Sequence, residues 1–280
     1  MGITEIRDSG CNDSEMGDSR TGVRDSPPDK TPARIADMFD AIAPRYDFLN
    51  HFLSAGLDRG WRNRAVEALA LPEHARVLDV CTGTADLAIA TVARARGASV
   101  VGVDFAGEML RLGVAKIRQA SLQRRIQLVR GDAMRIPIGD ASCDAATIAF
   151  GIRNVAEPNR ALAEIARVLK PGARLAILEF GQPSIPGIRT LYSWYFRQVL
   201  PRIGGLISRH QSAYTYLPAS VGTFPAPSAF AATLTATGFS HVRTVPLTFG
   251  IVYLFVAERR LPDSDATGTA KRANGTAKRT

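Results

Sequence analysis

A chain of 280 residues has room for one large α/β domain with a substantial core, and its 46% hydrophobic and 22% charged residues are ordinary for a folded protein. No apolar run reaches transmembrane length and the N-terminus has no signal-peptide stretch. Cys11, Cys81 and Cys143 at unrelated spacings, with four scattered histidines, give neither a disulfide framework nor support for a metal site, so the expected setting is reducing and cytoplasmic.

In chain order, residues 1–31 are rich in Ser, Asp, Gly and Pro and read as a disordered arm. Helices are expected at about 33–42 and 58–70, followed by strand Ala75–Val80 and helix Ala85–Arg96. Strand Ser99–Asp104, helix Gly107–Gln119 and strands Ile126–Arg130 and Ala145–Phe150 come next. Helix Pro158–Leu169 is stopped by Lys170-Pro171-Gly172 before strand Ala173–Phe180. A long apolar, aromatic helical region (about 188–207) and a helix over 228–237 precede strands His241–Leu247 and Gly250–Arg259. Their short connection predicts antiparallel pairing at the sheet edge. The tail 261–280 is basic, of low complexity and read as disordered. The predicted architecture is a single α/β domain over 32–260. Its sheet is Rossmann-like, seven-stranded and mostly parallel, with one antiparallel edge strand and helices on both faces.

The net charge of +9 is unevenly placed. No acidic residue occurs between Glu179 and Glu258, whereas Arg189, Arg197, Arg202, Arg209 and Arg243 lie there among apolar and aromatic residues. A solvated basic face explains the arginines; the missing acids add peripheral contact with an anionic membrane as a second reading.

Residues 77–86, Val-Leu-Asp-Val-Cys-Thr-Gly-Thr-Ala-Asp, form the strand, loop and helix start of a nucleotide-type cofactor site. Gly83 is the loop's only glycine, where a dinucleotide fingerprint asks for three. A pyrophosphate needs close backbone approach at several points, so the loop suits a cofactor without phosphates, and S-adenosylmethionine is the candidate. Asp79 can meet the cationic amino group of a bound amino acid, and Asp86 either joins it or stabilises the helix start. Thr82 and Thr84 either bond the cofactor or cap the helix. Asp104, 21 positions after Gly83, can accept both ribose hydroxyls, or serve as an N-cap. Met109, one turn further on, lies near an adenine face or simply packs. Asp132 can accept the adenine amine, with the Ala133 amide facing a ring nitrogen, although Gly-Asp after a strand is also ordinary turn chemistry. After the fourth strand, Arg153 offers a fixed cationic fork and Asn154 both donor and acceptor groups; a salt bridge and a helix cap are the alternative.

Together with Phe39-Asp40-x-Ile42-Ala43-x-Arg45-Tyr46-Asp47-x-x-Asn50, Trp61-Arg62, Phe150-Gly151-Ile152-Arg153-Asn154-Val155 and Tyr214-x-Tyr216-Leu217, these residues resemble the ubiquinone/menaquinone-biosynthesis C-methyltransferase family over about 34–258. The resemblance implies a class I methyltransferase in which Thr84, Asp104, Asp132 and Ala133 contact S-adenosylmethionine. It implies methyl transfer to a ring carbon of a reduced, demethylated quinone with a prenyl tail. Thr82-Gly83-Thr84-Ala85-Asp86 is closer to menaquinone-only members, Ala149 stands where some members have a serine contact, and His51 replaces a frequent acid. Carbon becomes nucleophilic once the neighbouring hydroxyl is deprotonated. The expected catalytic set is Arg153 stabilising the phenolate, with a water held by Arg153, Asn154 and Tyr46 as proton acceptor. Ile188, Leu191, Trp194, Tyr195, Val199, Leu200 and Ile203 line a channel for the tail, sit on the membrane, or form core. A nicotinamide dehydrogenase is opposed by the missing glycines. A nucleic-acid enzyme is opposed by the lack of an Asn-Pro-Pro-Tyr-type motif, so no nucleic-acid partner is expected. A non-catalytic binding module of the same fold stays open, as does a homo-oligomer.

Overall fold

The computed structural model describes residues 31–183, 185–194, 216 and 220–262. Nearly all of the arm at 1–31 and the tail at 261–280 lies outside these residues, as do Tyr195, Val199, Leu200 and Ile203.

The strands are β1 (Arg76–Val80), β2 (Ser99–Asp104), β3 (Ile126–Arg130), β4 (Cys143–Ala149), β5 (Leu169–Phe180), β6 (Phe239–Leu247) and β7 (Val252–Arg259). The helices are α1 (Pro32–Leu53), α2 (Leu57–Leu69), α3 (Asp86–Arg94), α4 (Gly107–Gln119), α5 (Pro158–Val168), α6 (Pro186–Trp194) and α7 (Pro227–Ala236). The inner strands are near-continuous apolar runs, as strands covered on both faces require. They form one seven-stranded sheet in the order β3-β2-β1-β4-β5-β7-β6. β1 to β5 pair in parallel, whereas β7 pairs antiparallel with both β5 and β6. The expected antiparallel pair therefore closes the sheet; β7 is its reversed member and β6 is the outermost strand.

Alternate residues of each strand feed opposite cores. Leu78, Ile148, Leu175 and Ile177 pack with Leu162 and Ile165 of α5 and Phe230 and Leu234 of α7. Val77, Ala145, Ala176 and Leu178 pack with Trp61, Ala65 and Leu69 of α2 and Ala88 and Val92 of α3. Both faces are thus covered.

Two boundaries depart from expectation by more than a turn; the smaller case is β5, which begins at Leu169 instead of Ala173 and takes in Lys170-Pro171-Gly172. The first helix is predicted to end near residue 42, ahead of Pro44, yet α1 runs on through Pro44 to Leu53. An internal proline removes one backbone hydrogen bond and costs about 3 kcal/mol. Tertiary contacts offset that cost: Ala43 packs with Ala106 and Met109, Phe39 and Tyr46 close over them, and Asp40 accepts the Glu108 amide at 2.8 Å. α1 consequently lies across the N-terminal end of α4, beside the ends of β1 and β2.

Candidate active site

The strand order reverses between β1 and β4, and in open α/β sheets ligands gather outside the carboxyl ends of the strands at that point. Two adjoining cavities of about 30 and 40 Å³ lie there and share Tyr46, Cys81, Gly83, Ala149 and Phe150. Asp79, Arg62, Thr84 and Asp86 line the first; Asp104, Met109, Asn154 and Phe39 line the second.

The loop after β1 turns sharply, with positive φ at Cys81 (54°), Gly83 (55°) and Ala85 (68°). Only glycine adopts that region freely, so the two other residues are held there by their surroundings. The Gly83 amide donates to Asp104 Oδ2 at 2.8 Å, and the Ala106 amide donates to Asp104 Oδ1 at 2.9 Å. Asp104 therefore ties the first loop to the start of α4 while still lining the second cavity. Burial pushes its carboxyl up, against the pull of these amides. Asp79 is fully enclosed, with Oδ2 accepting from Thr82 and Oδ1 from Thr147, each at 2.6 Å. Burial first, and then the charge of Asp104, lift it from 3.8 to about 6. A buried carboxylate of this kind favours a cationic partner. Burial likewise pushes the Cys81 thiol well up, with the Asp104, Asp79 and Glu179 charges adding to it, so this cysteine is an inert wall rather than a nucleophile.

Several predicted site residues turn out to be engaged within the fold. Thr84 Oγ1 donates to Asp47 Oδ1 at 2.6 Å and belongs to an ion network that the sequence did not disclose. Lys116 of α4 bridges Asp47 (2.9 Å) and Asp86; Arg62 bridges Asp86 (3.2 Å) and Asp58; His51 Nδ1 lies 2.6 Å from Asp58 Oδ2. This network fastens α1 to the cofactor loop and gives His51 its place. Asp132 is exposed, accepts the Met134 amide at 2.8 Å and lines neither cavity. Ala133 is buried in the core. The Gly131 amide of this turn donates to the Asp104 carbonyl at 2.9 Å. Of the three carboxylates expected at successive strand ends, Asp79 and Asp104 line these cavities, and Asp132 sits outside them at the end of β3.

Arg153 is placed differently from expectation. Its guanidinium is buried against Glu179, with Nη1 2.6 Å from Oε1, and also donates to the Phe150 carbonyl (2.5 Å) and Ser220 Oγ (3.3 Å). It lies 5.5 Å from the centre of the Phe180 ring and lines neither cavity. The alternative reading as a salt bridge prevails, because a buried fork charge needs a carboxylate. The sequence assigns Glu179 no role; an acid within an apolar strand is the available signal. Asn154 is the residue that reaches the site: it is 7% exposed, lines the second cavity, and its Oδ1 has no hydrogen-bond partner among the described residues. A buried acceptor left open in this way is a rare and costly arrangement that a ligand donor relieves. Tyr46 lines both cavities, and burial above all holds its phenol protonated beyond the usual range.

The sheet order and the ligand-facing loops define a Rossmann-like methyltransferase fold. An S-adenosylmethionine-dependent methyltransferase from Thermotoga maritima superposes with a TM-score of 0.57 at 18% identity, covering 81% of this chain and 100% of that one. The [4+2]-cyclase SpnF does so at 0.56 and 18%, covering 84% and 98%. A fold shared with a cyclase leaves the reaction to be argued from the site and the relatives. The ubiE/COQ5 methyltransferase family matches residues 28–259, and the chain belongs to it. The ubiquinone/menaquinone biosynthesis C-methyltransferase UbiE of Syntrophotalea carbinolica is 51% identical, over 80% of this chain and 94% of that protein. The demethylmenaquinone methyltransferase of Thermus thermophilus is 48% identical, over 79% and 100%. The chain is thus an S-adenosylmethionine-dependent methyltransferase, and the residues at the cavities are chemically compatible with that donor: the carboxyls of Asp79 and Asp104 and the side chain of Met109 line them.

Proposed function

We propose that this protein transfers the methyl group of S-adenosylmethionine to a ring carbon of a reduced, demethylated prenylquinone, demethylmenaquinol above all, in respiratory quinone biosynthesis. The benzoquinol of the ubiquinone pathway is the second acceptor in this reading, because relatives are named for both pathways. The observation that carries the proposal is the open Asn154 Oδ1 in a cavity that Tyr46 also lines, an acceptor and a protonated phenol beside the same aromatic wall.

In this reading Asp79 and the Gly83 and Thr84 loop hold the amino-acid end of the donor. Asp104 holds the ribose, and Asp132 with the Ala133 amide meets the adenine edge. The bound donor supplies an electrophilic methyl group on a sulfonium. Asn154 Oδ1 accepts the hydrogen bond of the quinol hydroxyl and fixes the ring. Tyr46 donates to the oxygen as its charge develops. The hydroxyl proton leaves to a water held by Tyr46 and Asn154. The ring carbon would form the new C–C bond as the S–CH3 bond breaks and its electron pair stays on the neutral thioether sulfur, and would then lose its own proton to water and regain aromaticity. Arg153 becomes a positioning residue: with Glu179 it braces the Phe150 carbonyl and hence the turn that presents Asn154.

A tailed quinol is drawn from a bilayer, so we place the protein in the cytoplasm, peripheral at the inner face of the membrane. Among the described residues no helix is long and apolar enough to cross a membrane. Trp194 (56% exposed) and Ile185 (47%) of the acid-free region offer apolar contact beside Arg189. Purified protein given labelled donor and both reduced quinones side by side tests the proposal. Label is expected on the naphthoquinol ring, and label on neither ring overturns it.

A further inference from the structure

Phe180 belongs to two places at once. Its ring centre is 4.6 Å from that of Phe150, which lines both cofactor cavities, and it also lines a third cavity of about 210 Å³. Val221, Phe224, Ala226, Tyr253 and Phe255 share that cavity, and none of its described lining residues is charged. Gln182, Pro225 and Ala226 of its wall are exposed, so the cavity opens to the surface, and a cavity of about 150 Å³ already holds a benzene ring. The space is built into the backbone. A Cβ on Gly181 would lie 2.4 Å from Tyr253 Cδ2, so only glycine lets the Tyr253 ring rest on the turn after β5. Ser220, which takes Arg153 Nε, immediately precedes Val221 of the cavity wall. The Phe150–Phe180 pair therefore joins the wall of the Asn154 cavity to the wall of this one.

We propose that the cavity beneath Phe180, Val221, Phe224 and Tyr253 takes the first isoprenoid units of the substrate's tail while the ring lies at Asn154 and Tyr46. This rests on the quinol reading of the site. A flat ring carrying a branched hydrocarbon needs a polar anchor and an adjoining apolar space, and the two are found on either side of one aromatic pair. The cavity thereby selects for acceptors that carry a tail.

Ala226→Phe fills the space from its rim. Ala226 is exposed, in ordinary extended geometry (φ −55°, ψ 149°), and makes no side-chain hydrogen bond. Gly181→Ala reaches the same wall by displacing Tyr253. In a Trp194→Phe background, quenching of Trp61, whose ring centre is 6.5 Å from that of Phe180, reports quinone binding without turnover. Dissociation constants for a monoprenylated and a tailless naphthoquinone are compared in the parent and in both variants, with thermal melts confirming the fold. The parent should favour the prenylated compound, and each folded variant should lose roughly tenfold or more of its affinity for that compound alone. Equal loss for both compounds, no loss in a folded variant, or no preference in the parent overturns the proposal. Failure of methyl transfer to either quinol removes the activity without touching this comparison.

Discussion

Asp79 holds its charge in a costly place, and the consequence is a pH dependence with a definite sign. Its folded-state value of about 6 exceeds the ordinary 3.8, so the folded protein binds the proton more tightly than the unfolded chain. On this account stability is greatest below about 4, declines as pH rises through 6, and is level above. Asp79→Asn should therefore raise the melting temperature of the free protein at pH 8, corresponding to a gain on the order of 1–3 kcal/mol. The same substitution should weaken S-adenosylhomocysteine, whose cationic amino group loses its partner. Titration calorimetry in the parent should find affinity lower at pH 5 than at pH 8, and a flat profile would remove Asp79 from the amino-group role. Asn154→Ala deletes the open acceptor and is expected to lower kcat by about 10²–10³ with little change in donor affinity. Steady-state kinetics with either quinol checks this. The residue types at these positions could be read from the sequence, but their partners could not. Asp104 was placed correctly at the end of β2, yet that two backbone amides consume its oxygens depends on a contact across 21 residues.

At the scale of elements, α1 acts as a cover. The two cofactor cavities hold about 30 and 40 Å³, whereas sites for ligands of this size are usually about 300–1,000 Å³. Entry of the donor is therefore expected to need outward movement of α1, which carries Phe39 and Tyr46 over the strand ends. Lys116 is the fastening that resists this, since it joins Asp47 of α1 to Asp86 of α3. Lys116→Met should lower the opening free energy of α1 by about 1 kcal/mol, the worth of a partly exposed pair. Amide exchange across 32–53 should then quicken roughly fivefold while β1 and β4 stay protected. Exchange unchanged over α1 would show that the ion network is not what holds it. The sequence supplied the helix but stopped it before Pro44, because local propensity rejects an internal proline. Packing of Ala43 and Tyr46 on α4 decides otherwise.

For the molecule as a whole, charge and apolar exposure act together. A net charge of +9, with no acid between Glu179 and Glu258, favours anionic surfaces, and the attraction should be screened by salt. Flotation with vesicles containing anionic lipid should carry the protein upward at low salt and lose most of it near 1 M. Absence of binding at low salt would end the membrane-surface reading. Much of the architecture was legible beforehand. Alternating strand and helix patterns gave the parallel sheet, Ser99–Asp104, Ile126–Arg130 and Gly107–Gln119 matched residue for residue, and the poor glycine content of the first loop pointed to a donor without phosphates. Those features are local: periodicity, turn chemistry and caps act over a few neighbouring residues. The tertiary structure alone decided that Arg153 faces Glu179, that Asp132 stays outside the cavities, that Lys116 fastens α1, and that Asn154 is left open. Each of these rests on pairing between groups tens of residues apart or on burial of a charge, and a linear pattern carries no information about either until the chain has packed.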